Sequence, residues 1–135
     1  MHPGGIQRLV RNGMTVSALC MAILGAMLLF APNEVSRLLL PDARGRVLAQ
    51  LLGAALLGCA SANWTARGSA LGGIYGRAIV VGNQTHLTIG ALLLVNNSLD
   101  VGAHHPAYWV LTVLYLVGAA FFAYLTFFSS GLRET

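Results

Sequence analysis

Residues 78–95 read AIVVGNQTHLTIGALLLV, and whether this stretch crosses a membrane decides the fold. Its 18 residues are close to the ~20 needed to traverse a bilayer as a helix. The centre carries Asn83-Gln84-Thr85-His86, so it reads as the least hydrophobic of four long apolar runs. If it spans, the chain crosses four times and its termini share one side. If it does not, three spans remain and the termini lie on opposite sides. Arg77 stands just before it, the polar Asn96-Asn97-Ser98 just after it, and no charged side chain lies within it, which predicts a span.

Three further runs have the same character. Residues 14–30 end at Ala31-Pro32, where proline stops a helix. A signal peptide is the rival reading because Arg8 and Arg11 precede the run. Its apolar core exceeds the roughly 7 to 15 residues of a signal sequence, however, and no small-x-small cleavage site follows. Residues 47–66 close at Arg67-Gly68-Ser69, and residues 108–128 form the clearest span. No run alternates polar and apolar residues with period two, as a transmembrane barrel requires. The expected fold is therefore all-α: a single transmembrane domain over residues 1–135, a polytopic four-helix bundle with short connections and spans at 14–30, 47–66, 78–95 and 108–128.

Composition agrees. The 135 residues are 56% hydrophobic and 9% charged, against roughly 25% charged in soluble domains. The four acids (Glu34, Asp42, Asp100, Glu134) and the eight arginines all fall outside the apolar runs, and lysine is absent. That is the distribution a hydrocarbon solvent enforces. The net charge of +4 comes from arginines scattered singly and in threes, without interleaved aromatics. It implies headgroup contacts and orientation signals, with no nucleic-acid partner. Arginine to the exclusion of lysine, with abundant alanine and glycine, points to a bacterial chain from a GC-rich genome.

Aromatic residues fit headgroup positions: Trp64 and Tyr75 flank the second connection, Tyr108 and Trp109 open the fourth run, and Tyr124 lies near its end. With four spans, one side holds five arginines (Arg8, Arg11, Arg67, Arg77, Arg133) and the other three (Arg37, Arg44, Arg46). The positive-inside rule then places both termini in the cytoplasm. Within the first connection Asn33 is suited to cap a short helix with Val35, Leu38 and Leu39 on one face. That helix either lies on the bilayer surface or packs its leucines on the bundle.

Helices in lipid associate through close contact at small residues. Ala18, Ala22 and Ala26, then Ala54, Gly58 and Ala62, recur every fourth residue in the first two spans. The third offers Gly82 and Gly90 around His86, and the fourth offers Tyr115, Ala119 and Ala123. Placing these rows inside the bundle predicts that Gly58→Leu overpacks it while Leu57→Ile is silent. The segment RVLAQLLGAALLG (46–58), running on to ANWTAR (62–67), resembles small four-helix bacterial inner-membrane proteins of DoxX-like build. The likeness extends over most of the chain as a hydropathy profile. It implies a bundle in the inner membrane and assigns no catalytic residue.

His86 is the leading candidate for function. It lies nine residues from both Arg77 and Val95, near mid-membrane, where an ionisable side chain points to a site. No span holds a carboxylate that would stabilise an imidazolium, so Tyr115 and Asn83 are its expected hydrogen-bond partners. The alternative is a neutral histidine that only ties helices together. Asn63 and Asn83 lie at similar depths on consecutive helices and are expected to hydrogen-bond to each other. Cys20 and Cys59, also at matching depth, read as small hydrophobes in preference to a redox pair. His104-His105 with Asp100 falls short of the three or four donors of a metal site. No phosphate loop, HExxH helix or nucleophile elbow is present, and no cofactor is indicated.

Three classes of function remain. An accessory or interaction subunit of a membrane assembly, with other subunits or a second copy as partner, needs no polar site and ranks first. A carrier or binder of a lipophilic ligand would use a polar intramembrane site at His86, Asn83, Tyr115 and Asn63. A small membrane enzyme ranks third, because only one ionisable group other than tyrosine and cysteine is available inside the spans.

Overall fold

The computed structural model describes residues 3–39, 45–69, 73–98 and 106–128. These residues form five helices: α1 Pro3–Phe30, α2 Pro32–Leu39, α3 Arg46–Ala66, α4 Gly73–Ser98 and α5 Pro106–Phe128. Gly5–Phe30, Arg46–Ala66, Ile74–Ser98 and Pro106–Phe127 are each long and apolar enough to cross a membrane. The chain is thus a small multi-pass integral membrane protein with an all-α four-helix bundle. Large apolar side chains such as Val16, Ile23, Leu51, Leu92, Val113 and Val117 point outward, as a lipid solvent permits. α3 and α4 are both less apolar than α1 and α5. The polar centre of α4 is balanced by Leu92 to Val95, whereas α3 is diluted along its length by alanine, glycine, serine and Gln50.

α1 ends at Phe30 and α2 begins at Pro32. Ala31 N–H donates to Met27 O at 2.8 Å, and Ala31 O accepts from Val35 N–H at 3.1 Å. Ala31 therefore holds the capping position expected of Asn33. Proline fits the first helical position because its missing N–H has no partner to satisfy there. Val35 is buried in the core and Arg37 is exposed. α2 packs against α1, α3 and α5, so it belongs to the bundle. The side chains of Leu38 and Leu39 lie outside the described residues.

The bundle consists of two closely packed pairs, α1 with α3 and α4 with α5, which meet each other through fewer contacts. The first pair crosses at two glycines. A Cβ on Gly25 would lie 2.8 Å from Gly53 O, and one on Gly53 would lie 2.7 Å from Gly25 O, so the backbones themselves touch. Met14, Ala18, Met21 and Leu28 of α1 and Leu56, Ala60, Asn63 and Ala66 of α3 form the buried seam. At its end, Gln50 Nε2 donates to Leu29 O at 3.2 Å, satisfying a carbonyl in the last turn of α1.

This seam overturns the expected rotation of α3. Ala54 and Gly58 are exposed, Ala62 is only half-buried, and among the described residues no side chain and no atom of another helix lies within 4 Å of a Cβ built on Gly58. The buried positions 53, 56, 60 and 63 step by three and four, following the helical period, whereas a strict four-residue row drifts around the helix. Burying the Asn63 amide turns the Ala54–Gly58 side outward. In α1, by contrast, Ala18 is buried, with Ala22 and Ala26 half-buried beside it.

In the second pair Leu87 packs on Gly118, and the Tyr115 ring lies directly over Gly90. Tyr108, expected as a headgroup anchor, is instead 1% exposed and donates its hydroxyl to Leu94 O at 2.5 Å. A buried tyrosine needs such a partner, and the bond ties the start of α5 to the end of α4. Trp64, Tyr75, Trp109 and Tyr124 do face outward. The Arg67 guanidinium stacks over the Trp64 ring at 3.8 Å from its centroid. Between the pairs, the Phe121 ring of α5 sits against Gly13 of α1, and Phe122 and Leu125 are fully enclosed.

Candidate functional site: two polar pairs inside the bundle

Asn63 and Asn83 meet in the interior, 0% and 5% exposed. Asn63 Nδ2 donates to Asn83 Oδ1 at 3.0 Å, and Asn83 Nδ2 donates back to Asn63 Oδ1 at 2.6 Å, closing a cyclic amide pair between α3 and α4. Asn83 Nδ2 also donates to Ile79 O at 2.8 Å. Asn63 Nδ2 approaches Ser17 Oγ at 3.3 Å and Met21 Sδ at 3.5 Å. Every polar atom of both amides therefore has a partner, and α1, α3 and α4 are joined at one point. An arrangement this complete acts as a structural clamp.

One turn away, the second pair is less enclosed. His86 is the central residue of the Ile74–Ser98 span and is half-buried. Tyr115 Oη lies 3.3 Å from its Nε2, with ring centroids 5.6 Å apart and planes inclined at 54°. Asn83, the other expected partner of His86, is committed to Asn63 and Ile79 instead. His86 Nδ1 has no partner among the described residues, and it is not among the fully buried unsatisfied atoms.

No protein family, curated protein or solved structure matches this chain. Its chemistry has to be read from its own geometry.

Gly82 and Gly90 flank His86 in sequence, but only Gly90 meets a neighbouring helix, through the Tyr115 ring. Among the described residues no side chain and no atom of another helix lies within 4 Å of a Cβ built on Gly82, which is exposed. The expectation of a close-packed neighbour on both sides of His86 is corrected to one side only.

Sequence reasoning missed Ser17 and Met21, whose roles depend on α1 being in register with α3. It also missed Gln84, whose Nε2 donates to Thr88 Oγ1 at 2.8 Å while its buried Oε1 has no partner among the described residues. Cys20 is exposed and Cys59 half-buried, both as free thiols. No cluster of three or more metal-binding side chains occurs among the described residues. Asp100, His104 and His105 lie outside them.

Proposed function

We propose that the chain serves as an accessory subunit of a larger membrane assembly, receiving a neighbouring transmembrane helix on the outer face of α3. The observation that supports this reading is the outward turn of Ala54 and Gly58, with open space at Gly58. Between helices in lipid, small residues give close backbone approach, the device that already joins α1 to α3 inside this bundle. A photo-crosslinking residue at Ala54, in intact membranes, is expected to capture a protein. The mass of the adduct distinguishes another subunit from a second copy of the chain. Gly58→Leu is expected to abolish the adduct without lowering the melting temperature of the purified bundle. Adducts with lipid alone, or a protein adduct indifferent to Gly58→Leu, would refute the proposal.

Location in a bacterial inner membrane with cytoplasmic termini is part of the same proposal. The DoxX-like hydropathy profile supports it, as do Arg8 and Arg11 at the start of α1, which face Arg67 across the antiparallel register set by Gly25 and Gly53. Reporter fusions at Thr135 and between residues 96 and 105 are expected to report opposite sides, with Thr135 cytoplasmic. A periplasmic Thr135 would reverse the orientation.

A second reading, a binder of a lipophilic ligand, is favoured by the His86–Tyr115 pair. Its Nδ1, without a partner among the described residues, is a polar atom at mid-span where the bilayer offers no water.

A further inference from the structure

We infer that the half-buried His86–Tyr115 pair, one helical turn from the open surface at Gly82, is a lipid-accessible site for a lipophilic compound whose head group is a carbonyl or the corresponding hydroxyl. The inference rests on the second reading above and adds the chemical class of ligand and its direction of entry. Gly82, one turn before His86, is exposed, and among the described residues no side chain and no atom of another helix lies within 4 Å of where its own side chain would begin, so this surface of α4 is open to the bilayer. A ligand already dissolved in lipid reaches it laterally, without crossing an aqueous phase.

The class follows from the donors and acceptors of the pair. Tyr115 Oη and His86 Nε2 share one hydrogen bond, and either can supply the proton, depending on the imidazole tautomer. When the tyrosine donates to Nε2, the imidazole proton sits on Nδ1, which then donates outward to a carbonyl oxygen. When Nε2 carries the proton and donates to Tyr115 Oη, Nδ1 is an acceptor and receives a hydroxyl proton. The internal bond is kept in both states and neither requires a net charge. The neutral pair is therefore matched to both forms of one head group, of which the carbonyl can only accept at that atom while the hydroxyl can also donate. A plain hydrocarbon gains nothing from it. A phosphate headgroup meets no cation at this depth, because every arginine lies outside the apolar runs.

The test uses the full-length protein in lipid nanodiscs with ¹⁵N-labelled histidine. The probes are decyl-benzoquinone, its hydroquinone held reduced under anaerobic conditions, and decylbenzene. The His86 resonances are assigned by their absence in His86→Leu. The quinone and the hydroquinone are expected to bind within about threefold of each other, and both at least about tenfold more tightly than decylbenzene. Nδ1 is expected to be protonated in the quinone complex and unprotonated in the hydroquinone complex. Gly82→Leu adds bulk to the open surface one turn from His86 without meeting another helix, so it is expected to weaken both by at least about tenfold at an unchanged melting temperature. His86→Leu, at a half-exposed position, is a second variant with the same expected loss. If neither variant alters binding of any probe, the site itself falls. If decylbenzene binds as tightly as the others and Gly82→Leu abolishes all three, the site stands and the head-group class falls. The same tautomer in both complexes would overturn the exchange between donor and acceptor.

Discussion

Gly53→Leu is expected to be the most damaging single substitution in the bundle, lowering stability in a detergent melting or steric-trapping assay by about 3 kcal/mol or more. Overpacking a tight interior typically costs about 1 to 3 kcal/mol, and this position belongs at the upper end or beyond. The first added carbon would already lie 2.7 Å from Gly25 O, 3.0 Å from Leu28 Cβ and 3.0 Å from Leu29 N. Two of these neighbours are backbone atoms, which cannot rotate away. Relief requires the whole α1–α3 crossing to separate, losing the packing along the Met14–Leu28 seam and the Gln50 to Leu29 bond. Gly53→Ala is expected to show a smaller loss in the same direction. Gly58→Leu, only five residues on, is expected to leave stability unchanged because it meets open space. Equal melting temperatures for Gly53→Leu and Gly58→Leu would show that the α1–α3 crossing is not as described.

The contrast between these two glycines marks what could be read from the sequence. Four spans were legible because a hydrocarbon solvent drives arginine and acidic residues to the segment ends, and that sorting is visible without coordinates. Depth was legible for the same reason. Distance from Arg67 and Arg77 placed Asn63 opposite Asn83, and the two amides do bond. Rotation about the helix axis was not legible. In α3 alanine and glycine occur on several faces, so the row Ala54, Gly58, Ala62 looked as suitable for the interior as Gly53 with Ala60. The choice depends on Asn63, whose amide must find partners away from water and carries its face inward. Gly13 and Phe121 were invisible for another reason, since Gly13 precedes the expected start of the first span and its partner lies more than a hundred residues away. Tyr115 was legible as a partner of His86, but the open side at Gly82 was not. An absent side chain reads the same whether it admits a helix or a cavity.

Asn63→Leu and Asn83→Leu are each expected to destabilise the bundle by about 1 to 3 kcal/mol, while the double substitution costs clearly less than the two combined. Leucine replaces asparagine at similar volume, so the loss comes mainly from the polar atoms left behind. With Asn63 gone, Asn83 keeps its bond to Ile79 O but its Oδ1 is stranded at 5% exposure. With Asn83 gone, Asn63 keeps its approach to Ser17 and Met21 while its own Oδ1 loses the 2.6 Å bond. A buried acceptor without a donor carries the full desolvation penalty, about 1 to 3 kcal/mol, far from any water that could relieve it. The double variant strands neither carbonyl and fills the space with hydrocarbon. It loses only the net value of the interhelical bonds, about 0.6 to 2 kcal/mol. A double-mutant cycle should therefore give a coupling of about 1 kcal/mol or more between the two positions. Additive losses would mean that each amide finds other partners once the first is removed. Single losses under about 0.5 kcal/mol would mean that water or lipid headgroups reach this depth, and the clamp would then have no part in holding α1, α3 and α4 together.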